Sequence, residues 1–254
     1  MNLPRKLDAL YDAALALLYP SACAACGTAG VEARADAPAC AACWGATRVF
    51  GGADVLCWKC GALAPGEAAS RALGDGGLGE RVRCRRCDAE SFTAARACGL
   101  YEGALRAAVL NLKREPHVAS RLVSLLHETY LRAPFETATR VVPVPLHPER
   151  ERERGFNQAA LLGRALAARA GLAADEWSLA RVTHTGKHRA GMDARARRES
   201  VEDAFEVVRP RLVRGESVLV VDDVFTTGAT VSACAGALRA AGAREVFVLT
   251  VARV

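Results

Sequence analysis

From about residue 93 to the C-terminus, apolar positions switch repeatedly between a helical and a strand-like spacing. Apolar residues at 104, 105, 108, 109 and 112 predict one buried face on a helix over 102–113, which must end before Pro116. The spacing recurs over 118–130, at 118, 122, 125 and 126. Residues 140–144 read as a buried strand. Asn157 is placed to cap a helix that runs to Ala170 and stops at Gly171. A short strand over 205–208 is expected to pair as a hairpin with 211–213. The run 218–221, VLVV, is apolar without alternation, which suits a strand covered on both faces. An alanine-rich helical pattern follows to Ala241, with Gly242 as its stop, and 245–251 gives a final strand. Alternating helices and strands predict an α/β fold with a mainly parallel sheet.

The first ninety residues follow another pattern. Residues 4–19 carry an amphipathic helical stripe of Leu7, Leu10, Tyr11, Ala14 and Leu18, stopped by Pro20. Next come four CxxC pairs, Cys23/Cys26, Cys40/Cys43, Cys57/Cys60 and Cys84/Cys87, in a stretch with little apolar content. Each pair lets two sulfurs reach one tetrahedral ion from a tight turn, and two turns complete a four-cysteine site. The first and third pairs are followed by glycine, Gly27 and Gly61, whereas the second and fourth are not. The repeat predicts two tandem zinc ribbons. Cys23, Cys26, Cys40 and Cys43 would hold one Zn2+, and Cys57, Cys60, Cys84 and Cys87 the other; a cross-braced order stays open. Closed all-cysteine sites support folding rather than chemistry. Cys98 and Cys234 lack partners at metal spacing and read as buried packing residues.

The candidate chemistry lies where the VLVV run ends in two adjacent carboxylates, Asp222 and Asp223. The turn Thr226-Thr227-Gly228-Ala229-Thr230 then opens a helix. Backbone N–H groups, hydroxyls and the positive end of the helix suit a phosphate there. Paired carboxylates suit ligand hydroxyls, so the expected ligand is a sugar phosphate. A strand ending in Asp also occurs in nucleotide triphosphatases, but the chain has no G-x-x-x-x-G-K-[ST] loop. Hydrophobic-Asp-Asp-x-x-Thr-Thr-Gly-x-Thr resembles the phosphoribosyl pyrophosphate (PRPP) motif of type I phosphoribosyltransferases. The resemblance implies that Asp222 and Asp223 hold the ribose 2′ and 3′ hydroxyls, while Thr226, Thr227, Gly228, Ala229 and Thr230 cradle the 5′-phosphate. Mg2+ would come with PRPP, held mostly by substrate oxygens.

Pro143-Val144-Pro145-Leu146-His147-Pro148, then Arg150, Arg152, Arg154 and Gly155-Phe156-Asn157-Gln158, resembles the VPVPL…R…RGFNQ signature of the ComF family. Tyr101-x-Gly103 and the Leu112-Lys113 helix end are similar to that family too. The family joins a cysteine-rich zinc-binding region to a phosphoribosyltransferase-like domain. Pattern and resemblance together divide the chain into an N-terminal amphipathic helix over 1–20, a double zinc ribbon over 21–92 and a phosphoribosyltransferase-like domain over 93–254. The resemblance implies that the loop after residues 140–144, Pro145 and Leu146 included, faces the pyrophosphate with Arg150 and Arg154 as its cations, arginine's planar fork being suited to that group. It implies too that Lys113 contacts the substrate. Asn157 and Gln158 are read equally as helix caps or ligand groups. The basic stretch 181–200 is read as a mobile loop that closes over the site.

Two functions stay open. One is an enzyme that transfers a phosphoribosyl group from PRPP, releases pyrophosphate and is linked to DNA uptake. The other is a non-catalytic protein that senses PRPP or engages single-stranded DNA or DNA-uptake proteins. The formal charge of +6 decides little, because eight thiolates on two zinc ions bring it to about +2. Arg81, Arg83, Arg85 and Arg86 surround the last knuckle, either as a solvated face beside the thiolates or as DNA contacts. Six aromatic residues in every hundred, with Trp44 and Trp58 alone prominent among the cysteines, are few for stacking on bases. The AALALL run at 13–18 is too short to span a membrane, and a cytoplasmic protein with reduced thiols is expected.

Overall fold

A computed structural model describes residues 21–28, 30–64, 82–182 and 204–254. The expected N-terminal helix, most of the 61–83 loop and most of the basic stretch 181–200 lie outside the described residues. Strands β1 (Ala94–Leu100), β2 (Arg140–Pro143), β3 (Ala173–Ala174), β6 (Ser217–Phe225) and β7 (Glu245–Arg253) form one sheet in the order β1-β7-β6-β2-β3, every pair parallel. Strands β4 (Leu179–Arg181) and β5 (Phe205–Val207) form a separate antiparallel pair. The helices are α1 (Ala41–Ala46), α2 (Gly103–Leu112), α3 (Ser120–Arg132), α4 (Pro148–Arg154), α5 (Gln158–Ala170) and α6 (Ala229–Ala240).

Strand alternation sorts the core into two faces. Leu219, Val221, Phe247 and Leu249 pack with Leu105 and Val109 of α2, Leu122 and Leu126 of α3, and Leu162 and Leu166 of α5. Val218, Val220, Val246 and Val248 pack with Val231, Ala235 and Leu238 of α6. The four residues 218–221 are fully buried, which stabilises by roughly 1.5–3 kcal/mol for each such side chain. One cysteine-rich unit joins each face: Cys23 and Cys40 belong to the first cluster, and Cys57, Cys60 and Cys87 to the second. Between the units, residues 48–50 run antiparallel along the outer edge of β1, with Phe50 N–H donating to Cys98 O (2.8 Å) and Leu100 N–H to Arg48 O (3.0 Å). A Cβ at residue 99 would lie 2.2 Å from Arg48 O, so this covering of an edge strand requires Gly99.

One predicted pairing is corrected. The strand near 205 pairs with β4, not with 211–213, which is a 3-10 turn over Pro210–Leu212. Pro210 has no N–H to give a ladder and suits the start of a helical turn.

Candidate functional site

The site forms because β6 outruns its neighbour. The last β2–β6 pair is Pro143 with Val221, followed by Val144 N–H to Val221 O at 2.9 Å. Pro145 has no N–H with which to continue the ladder. Residues 222–225 therefore pair with β7 alone, and a crevice opens beside them. It lies where the chain order reverses. The connection after β2 carries α5 onto one face, and the connection after β6 carries α6 onto the other. Open α/β sheets take ligands at such points.

Asp223 is buried at this crevice. Its Oδ2 accepts from Lys113 Nζ at 3.2 Å and from Gln158 Nε2 at 3.3 Å. The Gln158 side-chain carbonyl in turn accepts from Arg154. Lys113 stands at the C-cap of α2 and Gln158 at the first position of α5, so two helices converge on one carboxylate. Asp222 Oδ1 accepts from Asp223 N–H at 2.8 Å. Its carboxyl is pushed well above the ordinary carboxylate range, by desolvation first and by the Asp223 charge second, while Lys113 and the N–H bond act the other way.

Next to the pair, Gly228 caps α6 with φ +85°. A Cβ there would lie 2.8 Å from Cζ of Phe225, so the turn is wound tightly over that ring and only glycine fits. Thr227 Oγ1 accepts from Ala229 N–H at 3.4 Å. The N–H groups of Thr226, Thr227 and Gly228 donate to no other described residue. Thr226 is exposed, and Thr227 and Thr230 are half-buried.

Residues 150–154 belong to helix α4, not to a loop. His147 Nδ1 accepts from Glu149 N–H, Pro148 starts the helix and Gly155 ends it. Helical spacing puts Arg150 and Arg154 on one face, both half-buried, and turns Arg152 out into solvent. Pro145 and Leu146 are half-buried on the β2 side of the crevice. Asn157 is a helix cap, its Oδ1 accepting from Ala159 N–H (2.9 Å) and its Nδ2 donating to Val144 O (3.0 Å). Gln158 is not a cap; it reaches the carboxylate. Phe225, which the sequence reading passed over, floors the turn.

The cysteines gather in the tandem order. Cys23, Cys26, Cys40 and Cys43 form one group and Cys57, Cys60, Cys84 and Cys87 another, with all sulfurs in a group within 4.8 Å of one another. Sγ separations of 3.7 Å (Cys57–Cys87) and 3.4 Å (Cys60–Cys84 and Cys84–Cys87) are close to the roughly 3.8 Å that tetrahedral zinc–sulfur bonds dictate. Both CxxCG turns close alike, Gly27 N–H to Cys23 O and Gly61 N–H to Cys57 O, each at 2.8 Å. Backbone N–H groups also point at sulfur, Cys40 to Cys23 at 3.2 Å and Cys84 to Cys57 at 3.3 Å. Burial opposes ionisation of Cys57, but such N–H bonds bring its pKa down to about 6. Cys60 is pushed up to about 11 by burial and by its sulfur neighbours. A site that favours a first thiolate and penalises the next fits a dication. Cys98, pushed up to about 12 by burial, and Cys234 lie apart as buried thiols.

With this geometry in view, comparison with known proteins is informative. Residues 157–254 match the family model described as the phosphoribosyl transferase domain. DNA utilization protein YhgH of Salmonella typhi is 37% identical over 150 residues, which cover 57% of this chain and 64% of that protein. Competence protein F of Haemophilus influenzae is 36% identical over 114 residues, 44% of this chain and 49% of the relative. The chain is a ComF relative. Competence protein ComFC of Bacillus subtilis is 33% identical over 90 residues, 35% of the chain and 34% of the relative. The ComF resemblance seen in the motifs is thus borne out, together with the fold class. In this ComF relative the family-model match takes in Gln158, both aspartates and the turn after them; Lys113 and α4 precede it. Among solved structures, the Bacillus subtilis glutamine PRPP amidotransferase has a TM-score of 0.35 at 22% identity, over 58% of this chain and 26% of the other.

Proposed function

We propose that the protein binds PRPP with Mg2+ at the crevice beside β6 and transfers its phosphoribosyl group to an acceptor. The carrying observation is the buried Asp223, held by Lys113 and Gln158 next to a glycine-capped turn whose first N–H groups donate to no other described residue. The aspartates take the ribose hydroxyls, 226–230 the 5′-phosphate, and Lys113, Arg150 and Arg154 the pyrophosphate, with Pro145 and Leu146 as the wall. In the reaction the bond between ribose C1 and the pyrophosphate oxygen breaks, and its electron pair leaves on pyrophosphate. The acceptor supplies the pair for the new bond. Carboxylates near the sugar favour the developing positive charge, and the cations favour the leaving group. Residues 93–254 are the transferase-like domain in this reading and 21–92 the double ribbon. The relatives' names, DNA utilization and competence, tie the reading to DNA uptake. Direct stacking on bases gains no support at Trp44, which is buried beneath Arg121, or at Arg83, which is engaged by Asp88 and Trp58.

A ligand that binds only the folded state must raise the unfolding midpoint. PRPP with Mg2+ is expected to raise it by about 3 kcal/mol worth of stability at a hundredfold excess over Kd, and pyrophosphate alone by less. Asp222→Ala combined with Asp223→Ala is expected to abolish most of the shift. Pyrophosphate release in a screen of acceptors, single-stranded DNA among them, identifies the enzyme. Binding without release under every acceptor would favour the sensing protein, and no shift in the wild type would remove the PRPP reading.

A further inference from the structure

One arginine joins the second cysteine group to the turn after β6. Arg253 ends β7 and is paired in register with Phe225, which ends β6. Its guanidinium lies 5.0 Å from the centre of the Phe225 ring and donates to Cys60 O at 2.7 Å. The same ring lies directly beneath Gly228. Phe92, five residues past Cys87, meets it edge-on at 6.0 Å. The connecting segment is tied to α6 as well: Ser91 N–H donates to Ser232 Oγ (2.9 Å), and Arg239 donates to Ser91 O (2.7 Å) and Thr93 Oγ1 (2.8 Å).

Among the described residues the first cysteine group has no such route. Its neighbour Thr47 accepts from Ala104 N–H at 2.8 Å at the start of α2, and Asp36 pairs with Arg121 of α3 at 3.0 Å. Both contacts lie on the opposite face of the sheet. The Arg253 guanidinium is anchored on the backbone of Cys60, whose sulfur is one of the four in the second group, so an ordered second group would hold it where it also presses on Phe225.

We propose that Arg253 is a positioning residue through which the second cysteine group fixes the turn 226–230. Filling of that group then governs how well the turn is formed, whereas filling of the first does not. This deepens the PRPP reading and rests on it for its meaning, but its test needs no PRPP. Hydrogen exchange is followed in the zinc-loaded full chain at 232–235, the first hydrogen-bonded amides of α6, of which Ser232 N–H donates to Gly228 O at 2.8 Å, with α5 as an internal reference. Arg253→Lys keeps the charge but loses the planar fork and its stacking, and Arg253→Gln loses the charge too. Both are expected to speed exchange at 232–235 about tenfold, as loss of a cation–aromatic contact and a charged hydrogen bond would, with α5 unchanged and two zinc ions retained. Cys84→Ser is expected to speed the same segment, and Cys26→Ser to leave it alone. If Arg253→Lys is folded, keeps its zinc and exchanges like wild type, the proposal is overturned. Equal effects of Cys84→Ser and Cys26→Ser overturn it too. Failure of PRPP to bind at all would leave these exchange results standing and sink only the ligand assignment.

Discussion

Asp222 and Asp223 are adjacent in sequence but differ in circumstance. Asp223 has a lysine and an amide for partners, while Asp222 is desolvated beside a second carboxylate, and its folded pKa is raised. The fold therefore holds a proton on Asp222 more tightly than the unfolded chain does. Stability linked to it is fully present below the ordinary carboxylate pKa and is lost as pH rises through the raised folded value. Asp222→Asn keeps an oxygen to accept from Asp223 N–H and removes this loss. It is expected to raise the midpoint near pH 7 by about 2–4 °C, the shift that ~1 kcal/mol produces in a chain of this size, and to match wild type near pH 3.5. Thermal scans at the two pH values check it, and a variant no more stable at pH 7 would contradict the desolvation argument. The same variant should bind PRPP more weakly, stability having been sacrificed for the site. At this scale the sequence showed the paired acids and the glycine turn, because both are local. It did not give Gln158, which reaches Asp223 across 65 positions, or Phe225, whose contact with Gly228 depends on how the turn is wound. Because of that winding, the Cβ of Gly228→Val would meet Phe225, so the variant is expected to distort the turn before it can obstruct a phosphate.

Elements with strong apolar periodicity, such as β6, β7, α2 and α5, were legible, whereas short elements with none were not. The run of alternating Glu and Arg at 149–154 has a period of two in charge and no apolar stripe. Its helical nature was signalled only at its ends, by Pro148 at the first position and Gly155 just past the last. The partner of β5 was missed because the 23 residues between the two arms hide their adjacency, while Arg211 and Val213 lay close in sequence. Reading α4 as a helix sharpens the role of its arginines. Arg150 and Arg154 share a face and Arg152 does not. Calorimetric titration with PRPP and Mg2+ should show Arg150→Ala and Arg154→Ala each weakening binding by about tenfold, the worth of one charge-assisted hydrogen bond. Arg152→Ala should bind as wild type does. Equal loss from all three would mean that only net charge matters. The Arg154 change is expected to cost the more, since that residue also holds the Gln158 amide against Asp223.

Across the whole molecule, the cysteine-rich region does not hang from the sheet as an appendage. Each four-cysteine group is built into a different apolar cluster of the sheet, and residues 48–50 between them cover the β1 edge. The sequence showed the tandem order through the CxxCG repeat, but the repeat is silent about which face each unit takes. That depends on Gly99 admitting Arg48 O to β1 and on Arg253 reaching Cys60 O. No helix among the described residues is long and apolar enough to cross a membrane. Metal analysis of protein purified without added zinc is expected to find two zinc ions per chain. Because the clusters are shared, removal of zinc by a chelator should lower the midpoint of one common unfolding transition, not erase a small separate one. A fall of at least about 5 °C is expected, since even ~2 kcal/mol of zinc-linked stability moves a chain of this size that far. Scanning calorimetry with and without chelator decides the matter. If the sheet melts at an unchanged temperature after both metals have gone, the cysteine groups are independent of it, and the packing in the two clusters contributes nothing to its stability.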